Sequence, residues 1–492
     1  MMSSINKITP LNAMNLLQTK AIAEFVAKYR RQESRQHNNR WPQLTGLNIH
    51  LRQLIIDYIT NEKINVSPKL IQSLIVDGLQ RLDLWSLCET NTLTTTEIMA
   101  ILETIAQNSK CLQWLSLGGN EWILNNKVIK GPLKRIFEGK LQQLVTLRMQ
   151  SIASGEDLLA VLKSCPRLKR LEIRMPSITC RDIDRIESRL KTSTDVISNL
   201  KELLLPSSFK CRSLMKMLAI FSNIETLKCV SFEQLLDLID LSVTISPNTS
   251  YSEMASLAKK TLSSLTSLTV TQAMSYDSIE RLVTMCPKIQ RLSLEVQDGM
   301  LLWPITRLVD LKHLELRNTP SVPIDLSNQV LPILEAKGKQ LEALSLEYFD
   351  VIDLGVCTKM CSNLQRFSAQ WFTTLAYPRP DMPSSLRDKA LKEPFSGLTH
   401  VRLRPSSQRN IPSNACAFLL AAAKRVTHIE LYCCFDLSDG DVQVLFSKNP
   451  MTHLRSLILR HGHKVTKEAL NLLVSRADGL AFVDCGIPLK DE

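Results

Sequence analysis

The sequence predicts an α/β repeat solenoid: a parallel inner sheet, helices outside it, and a helical cap at the N-terminal end. Two observations carry that expectation. One apolar motif recurs in a single register along most of the chain, and helix-patterned segments lie between its copies. Composition supplies a third. Of 492 residues, 44% are hydrophobic and 22% charged, the balance of a folded chain rather than a disordered one. Aromatics are only 5% and glycines number 15, so glycine-hinged catalytic loops should be scarce.

The motif is L-x-x-L-x-L, with other apolar residues tolerated. It begins as Leu79-Leu82-Leu84 and Leu112-Leu115-Leu117, and continues through Leu168-Leu171-Ile173, Ile289-Leu292-Leu294 and Leu341-Leu344-Leu346. Val426-Ile429-Leu431, Leu454-Leu457-Leu459 and a degraded Leu480-Val483-Cys485 close a series of fifteen. Successive copies start between 22 and 41 residues apart. The last two apolar positions alternate with a polar residue, the signature of a short strand with one buried face. The segments between, such as 157–162, 278–283 and 441–446, carry apolar residues at helical spacing behind an acidic or hydroxyl start. One strand and one helix cannot bury their apolar faces alone, so the units must stack into a horseshoe.

Several units place a cysteine ahead of the strand: Cys111, Cys165-Pro166, Cys286-Pro287 and Cys361. A small apolar thiol suits a tight helix-to-strand corner, and a following proline stops the helix. With these cysteines the chain resembles the cysteine-containing leucine-rich repeats of F-box/leucine-rich-repeat proteins and related substrate receptors of cullin ubiquitin ligases. The resemblance covers residues 79–485 and is closest over 429–485, where Ser438 and Thr466 stand at helix starts. It implies a protein without chemistry of its own, which holds a substrate on its repeats and docks a ligase through an N-terminal helical box.

The chain divides accordingly into a helical region over 1–78 and a solenoid of about fifteen units over 79–492. Thr9 and Pro10 predict a helix running to Arg31, followed by helices over 47–59 and 68–79. These serve as a cap over the open end of the solenoid, as an adaptor-docking box, or as both. Leu47-Asn48-Ile49-His50-Leu51 resembles an F-box start, with asparagine where that family carries proline. Leu17, Ala21 and Phe25 match the spacing of an elongin-binding box, and Leu47, Leu51 and Ile55 that of the cullin box behind it. The partners implied are an elongin or F-box adaptor plus a cullin, with the chain as a monomer inside a larger complex.

Partner binding falls to the polar positions that alternate with the motif leucines. Toward the C-terminus these are His313, Arg317, His400, Arg402, Arg404, His428, Tyr432 and Arg460, interrupted by Glu315, Glu347 and Glu430. Such a set suits an acidic or phosphorylated peptide. Two intervals exceed a plain repeat: 233–264, read as one helix and a Ser/Thr-rich stretch, and 370–397, with four prolines. In the second, Trp371, Phe372 and Tyr377 either anchor a partner or pin the loop to its scaffold.

A net charge of +12, spread over so long a chain, is a mild surplus. RNA or phospholipid binding is disfavoured, because aromatics rarely interleave with the basic residues. The start of the chain lacks the pattern of a secretory signal, and no apolar run reaches the ~18–20 residues of a membrane span. Thirteen cysteines without a paired framework are expected as reduced thiols in the cytoplasm or nucleus. Cys357 and Cys361 have no second pair to complete a metal site, and no nucleotide-binding or hydrolase motif is present. No enzyme activity, cofactor or metal is expected. The alternative to a ligase receptor is a plain protein-binding scaffold or inhibitor.

Overall fold

The computed structural model describes residues 21–31, 44–91, 93–108, 110–118, 135–137, 141–152, 155–176, 178–190, 199–206, 209–229, 231–245, 250–319, 324–325, 329–377, 395–406, 409–433, 437–460, 464–466, 468–469, 477, 479–480 and 482–484. They fall in two compact units, one within 18–266 and one within 267–492. The expected change from helical region to repeats, at 78/79, lies within the first of these. Leu17, expected in the adaptor-docking stripe, lies outside the described residues.

The N-terminal unit opens with helix. Residues 21–31 are helical and bury Ile22, Val26 and Tyr29, one stripe at i, i+4 and i+7. Helix Ile49–Asn61 starts at Asn48, whose side chain accepts from the Leu51 amide at 2.9 Å. That capping bond is what asparagine supplies in the place where the resembling family carries proline. Helix Pro68–Leu74 starts at Ser67, with Pro68 in the first turn, where its missing N–H is no loss. Arg52 is buried between them and donates to the main-chain carbonyls of Leu44, Leu47 and Ser73. Burial pushes its pKa down, and the three carbonyls carry the solvation that water no longer gives.

Six strands follow: β1 (Arg81–Asp83), β2 (Trp114–Leu117), β3 (Thr146–Ile152), β4 (Arg170–Pro176), β5 (Glu202–Leu204) and β6 (Thr226–Cys229). Each pairs in parallel with the next, and the second motif leucine keeps register throughout: Leu82, Leu115, Leu147, Leu171, Leu203, Leu227. All six are fully buried. At about 2 kcal/mol for each buried leucine, this ladder is a main source of cohesion between neighbouring repeats.

The C-terminal unit repeats the arrangement with nine strands. These are β7 (Ser267–Val270), β8 (Arg291–Val296), β9 (His313–Asn318), β11 (Ala343–Glu347), β13 (Arg366–Phe372), β15 (His400–Pro405), β16 (His428–Tyr432), β17 (Ser456–Arg460) and β18 (Phe482–Asp484). All fifteen motifs therefore carry a strand at the expected place. Three short strands, β10 (Ile324–Asp325), β12 (Phe349–Asp353) and β14 (Thr374–Ala376), form a second parallel sheet that the motif does not foretell.

The expected cysteine corner recurs. The amides of Cys165, Cys286 and Cys361 each close the preceding helix on the carbonyl four residues back, and each cysteine carbonyl accepts from the first motif residue. All three thiols are fully buried, whereas Cys111 is exposed and departs from the pattern. Burial pushes Cys165 and Cys361 up to about 12, so they stay protonated and unreactive at neutral pH.

The interval 233–264 differs from its reading as one helix and a polar stretch. It holds two helices, Phe232–Ile245 and Ser250–Leu262. Ala255, Ala258 and Leu262 make a small buried stripe, and the Thr261 hydroxyl donates to the Leu218 carbonyl at 2.8 Å. Small residues at helical spacing were masked by their Ser/Thr neighbours. Among the described residues no helix is long and apolar enough to cross a membrane.

Candidate functional site

Parallel pairing brings the same motif position of each repeat side by side, so the polar positions of the C-terminal sheet form rows. The first runs Ser267, Arg291, His313, Ala343, Arg366, His400, His428, Ser456 across adjacent strands. The second runs Thr269, Ser293, Glu315, Ser345, Ser368, Arg402, Glu430, Ile458. The third includes Glu295, Arg317, Glu347, Gln370 and Arg404, and Tyr432 with Arg460. A groove of about 580 Å³ lies over the first two rows, bounded by Ser267 and His428.

The candidates His313, His400, Arg402 and His428 line this groove together. Arg291 and Arg366 also line it, and the sequence reading passed over them. They occupy the same position as His313, His400 and His428, directly before the second motif residue. Aligning the repeats on that position would have found them.

Carboxylates on this face already have cations. Arg317 Nε lies 2.6 Å from Glu347 and its Nη2 3.4 Å from Glu315. Arg402 Nε lies 3.1 Å from Glu430 without hydrogen-bond alignment. Glu342 at the groove edge is 2.9 Å from Lys312 and 4.0 Å from His313. Arg291 and Arg366 have no ion pair among the described residues. Burial, then Arg291, hold His313 below the ordinary imidazole value against the pull of Glu342; Arg366 and Lys312 lower it further. Burial, then His428 and Arg366, lower His400.

The His400 and His428 rings stack, with centroids 4.3 Å apart and planes 5° from parallel. Each Nδ1 lies 2.8 Å from the hydroxyl of the preceding threonine. Those hydroxyls donate to main-chain carbonyls, Thr399 to Gln365 and Thr427 to Thr399, at 3.0 Å. Each hydroxyl oxygen therefore accepts from Nδ1–H, and the neutral ring presents Nε2 as an acceptor.

At the C-terminal ends of the strands lies a different row. Tyr348 and Trp371 stack at 5.9 Å, and Arg404 covers Trp371 at 3.9 Å and Tyr432 at 5.2 Å. Tyr348 and Trp371 both have positive φ, 62° and 58°, a conformation that bulky residues rarely adopt. Of the three insert-loop candidates, Phe372 is fully buried and serves its own scaffold; Trp371 and Tyr377 are half-buried. Residues 378–394 of that insert lie outside the described residues. Arg460 is exposed beyond this row.

The N-terminal candidates divide by burial. Ala21 is exposed and Phe25 half-buried, off the face that buries Ile22, Val26 and Tyr29. Leu47 and Leu51 are half-buried and Ile49 is exposed. Ile55 is buried with Ile56 and Ile59 in the core of the unit, so its side chain packs the cap rather than facing outward.

On the N-terminal sheet the same polar positions hold a closed charge network. Glu172 faces Arg148 at 3.1 Å, Arg174 at 3.5 Å and Arg170 at 3.8 Å, and Arg170 also reaches Glu202 at 3.1 Å. Arg148 and Arg174 cover the Trp85 ring, at 4.3 and 4.2 Å from its centroid. Among the described residues no group of His, Cys, Asp or Glu is placed to hold a metal ion; Cys357 and Cys361 are buried.

Strand register, leucine ladder and outer helices define both units as leucine-rich-repeat solenoids. No protein-family model matches the chain, and no curated protein matches it. Among solved structures it is similar to an internalin of Listeria monocytogenes, at 13% identity over 85% of this chain and 89% of that one, TM-score 0.30. It is similar to a leucine-rich-repeat protein of Leptospira interrogans, at 15% identity over 86% and 93%, TM-score 0.35. A third is the Rad7 and Elc1 complex of yeast, at 12% identity over 93% and 90%, TM-score 0.42.

Proposed function

We propose that this chain is a non-enzymatic interaction scaffold that serves as the substrate-recognition subunit of a cullin-type ubiquitin ligase. Its N-terminal helices dock the adaptor, and the polar face of its C-terminal sheet holds the substrate, so that transfer gains from proximity. The observation that carries the docking half is the 21–31 helix. It packs through Ile22, Val26 and Tyr29 and leaves Ala21 exposed and Phe25 half-buried at the edge of that face, its ring 6.3 Å from that of Tyr29, in the spacing of an elongin-binding stripe. Arg52 and Ile55 favour a second reading, a plain protein-binding scaffold whose helices only cap the repeats.

The test is affinity capture of the tagged chain from cells beside an Ala21→Glu/Phe25→Asp variant, which keeps Ile22, Val26 and Tyr29, with the melting temperatures of both chains measured to show that loss of the Phe25–Tyr29 contact has not unfolded the helix. Capture of an elongin or F-box adaptor with a cullin by the parent chain, lost in the variant, supports the ligase reading. A parent chain that brings down no ligase subunit leaves the plain scaffold.

A further inference from the structure

The C-terminal groove contains one place where, among the described residues, arginines stand without an ion pair, Glu342 acting on Arg291 only at longer range. Ala343 sits in the first row between His313 and Arg366, and its short side chain leaves a notch across one strand. Arg291 stands on the far side of His313, one strand further along. Neither Arg366, beside the notch, nor Arg291, beyond His313, has an ion pair among the described residues, and both act on the His313 ring. Beside the notch, in the second row, lie the hydroxyls of Ser345 and Ser368, which are register partners. Gln370 donates to the Ser368 oxygen at 3.3 Å, which leaves the serine O–H available to donate.

We propose that this notch binds a phosphorylated side chain carried by the protein segment the C-terminal unit recognises. The proposal rests on the reading of that face as a protein-binding surface. Arginine is suited to the task, because its planar fork meets phosphate oxygens with two parallel charge-assisted bonds. Hydroxyl donors complete the shell, and the groove's carboxylates have cations elsewhere, since Glu315 and Glu347 share Arg317 and Glu430 faces Arg402. A phosphorylated residue fits better than a nucleic-acid backbone. The unpaired arginines flank a single notch rather than lining a track, and the Trp371 and Tyr432 faces on which bases would stack are covered by Arg404.

The experiment uses the purified full-length chain and two fluorescein-labelled peptide pools, degenerate around a central phosphoserine or an unmodified serine. Binding is read by anisotropy at about 150 mM salt, where surface steering is largely screened. The expected result is tighter binding of the phosphorylated pool by at least about tenfold, competed by inorganic phosphate. Arg291→Gln/Arg366→Gln should remove that preference with an unchanged melting temperature, and Ala343→Trp should remove it by filling the notch. Equal binding of the two pools, or a preference that survives both variants, overturns the notch assignment while leaving the protein-binding reading intact. Binding of neither pool overturns both. A single-stranded RNA bound more tightly than either pool through the same arginines assigns the face to nucleic acid and also overturns the proposal.

Discussion

The two sheets are built from one motif, yet they use arginine in opposite ways. In the N-terminal unit Arg148, Arg170 and Arg174 converge on Glu172, and two of them also cover Trp85. In the C-terminal unit Arg291 and Arg366, both in the first row like Arg170, have no ion pair among the described residues, although Arg291 acts on Glu342 at longer range; beside them stand His313 and His400, whose pKa values burial lowers first. A charge answered within the fold stabilises the fold and offers little to a ligand. A charge left unanswered opposes its neighbours slightly and waits for an anion. The difference lies in whether a carboxylate stands beside the arginine, on its own strand or the next, not in the arginine itself.

The largest effect should come from the N-terminal unit, where charge is buried most deeply. Arg52→Ala leaves three carbonyls without their donor and should destabilise that unit by about 3 kcal/mol. Urea denaturation followed by hydrogen exchange, which resolves the two units, checks it. Glu172→Ala strips three arginines of their partner at a half-buried site. Its cost should be about 1 kcal/mol and should shrink in high salt. A loss unchanged by salt would mean that packing on Trp85, not charge, holds the network.

Acid should separate the units further. His313 and His400 have folded pKa values below the ordinary 6.5, so the unfolded chain binds the proton more readily. Their contribution to stability is present above that value and is lost as pH falls below it. Around His313 stand Arg291, Lys312, Arg366 and Glu342, and around His400 stand Arg366 and His428, so the field is mainly positive. Hydrogen exchange at pH 7.5 and at about 5.5 should show earlier loss of protection across β9–β16 than across β1–β6. Equal loss in both would assign the acid response to carboxylates instead. The smallest effect is that of Arg366→Gln on stability, expected within about 0.5 kcal/mol of the parent chain because no ion pair is broken.

Much of this was legible in the sequence. The motif leucines had to share a register for their faces to be buried, so all fifteen strand positions followed, and Ser438 caps its helix as its hydroxyl start promised, whereas the segment read from Ser278 begins three residues earlier, capped by Ser275. The polar rows were only half legible. His313, His400 and His428 stood out as rare residues, while Arg291 and Arg366 looked like ordinary surface charge until strand pairing set them along one groove with no ion pair among the described residues. Ile55 matched a docking spacing, but one helix face serves packing and docking alike, and burial alone separates them. Tyr348 was invisible because its role depends on an unusual φ and on Trp371 one strand away.

The most direct test sets two charge reversals side by side, Arg148→Glu and Arg366→Glu, and measures for each the melting temperature and the affinity for the phosphoserine peptide pool. The account predicts a crossed result: Arg148→Glu lowers the melting temperature and leaves affinity unchanged, while Arg366→Glu leaves the melting temperature and abolishes the phosphate preference. If Arg366→Glu destabilises the fold as much as Arg148→Glu does, or if both variants bind like the parent chain, the division between answered and unanswered arginines is wrong.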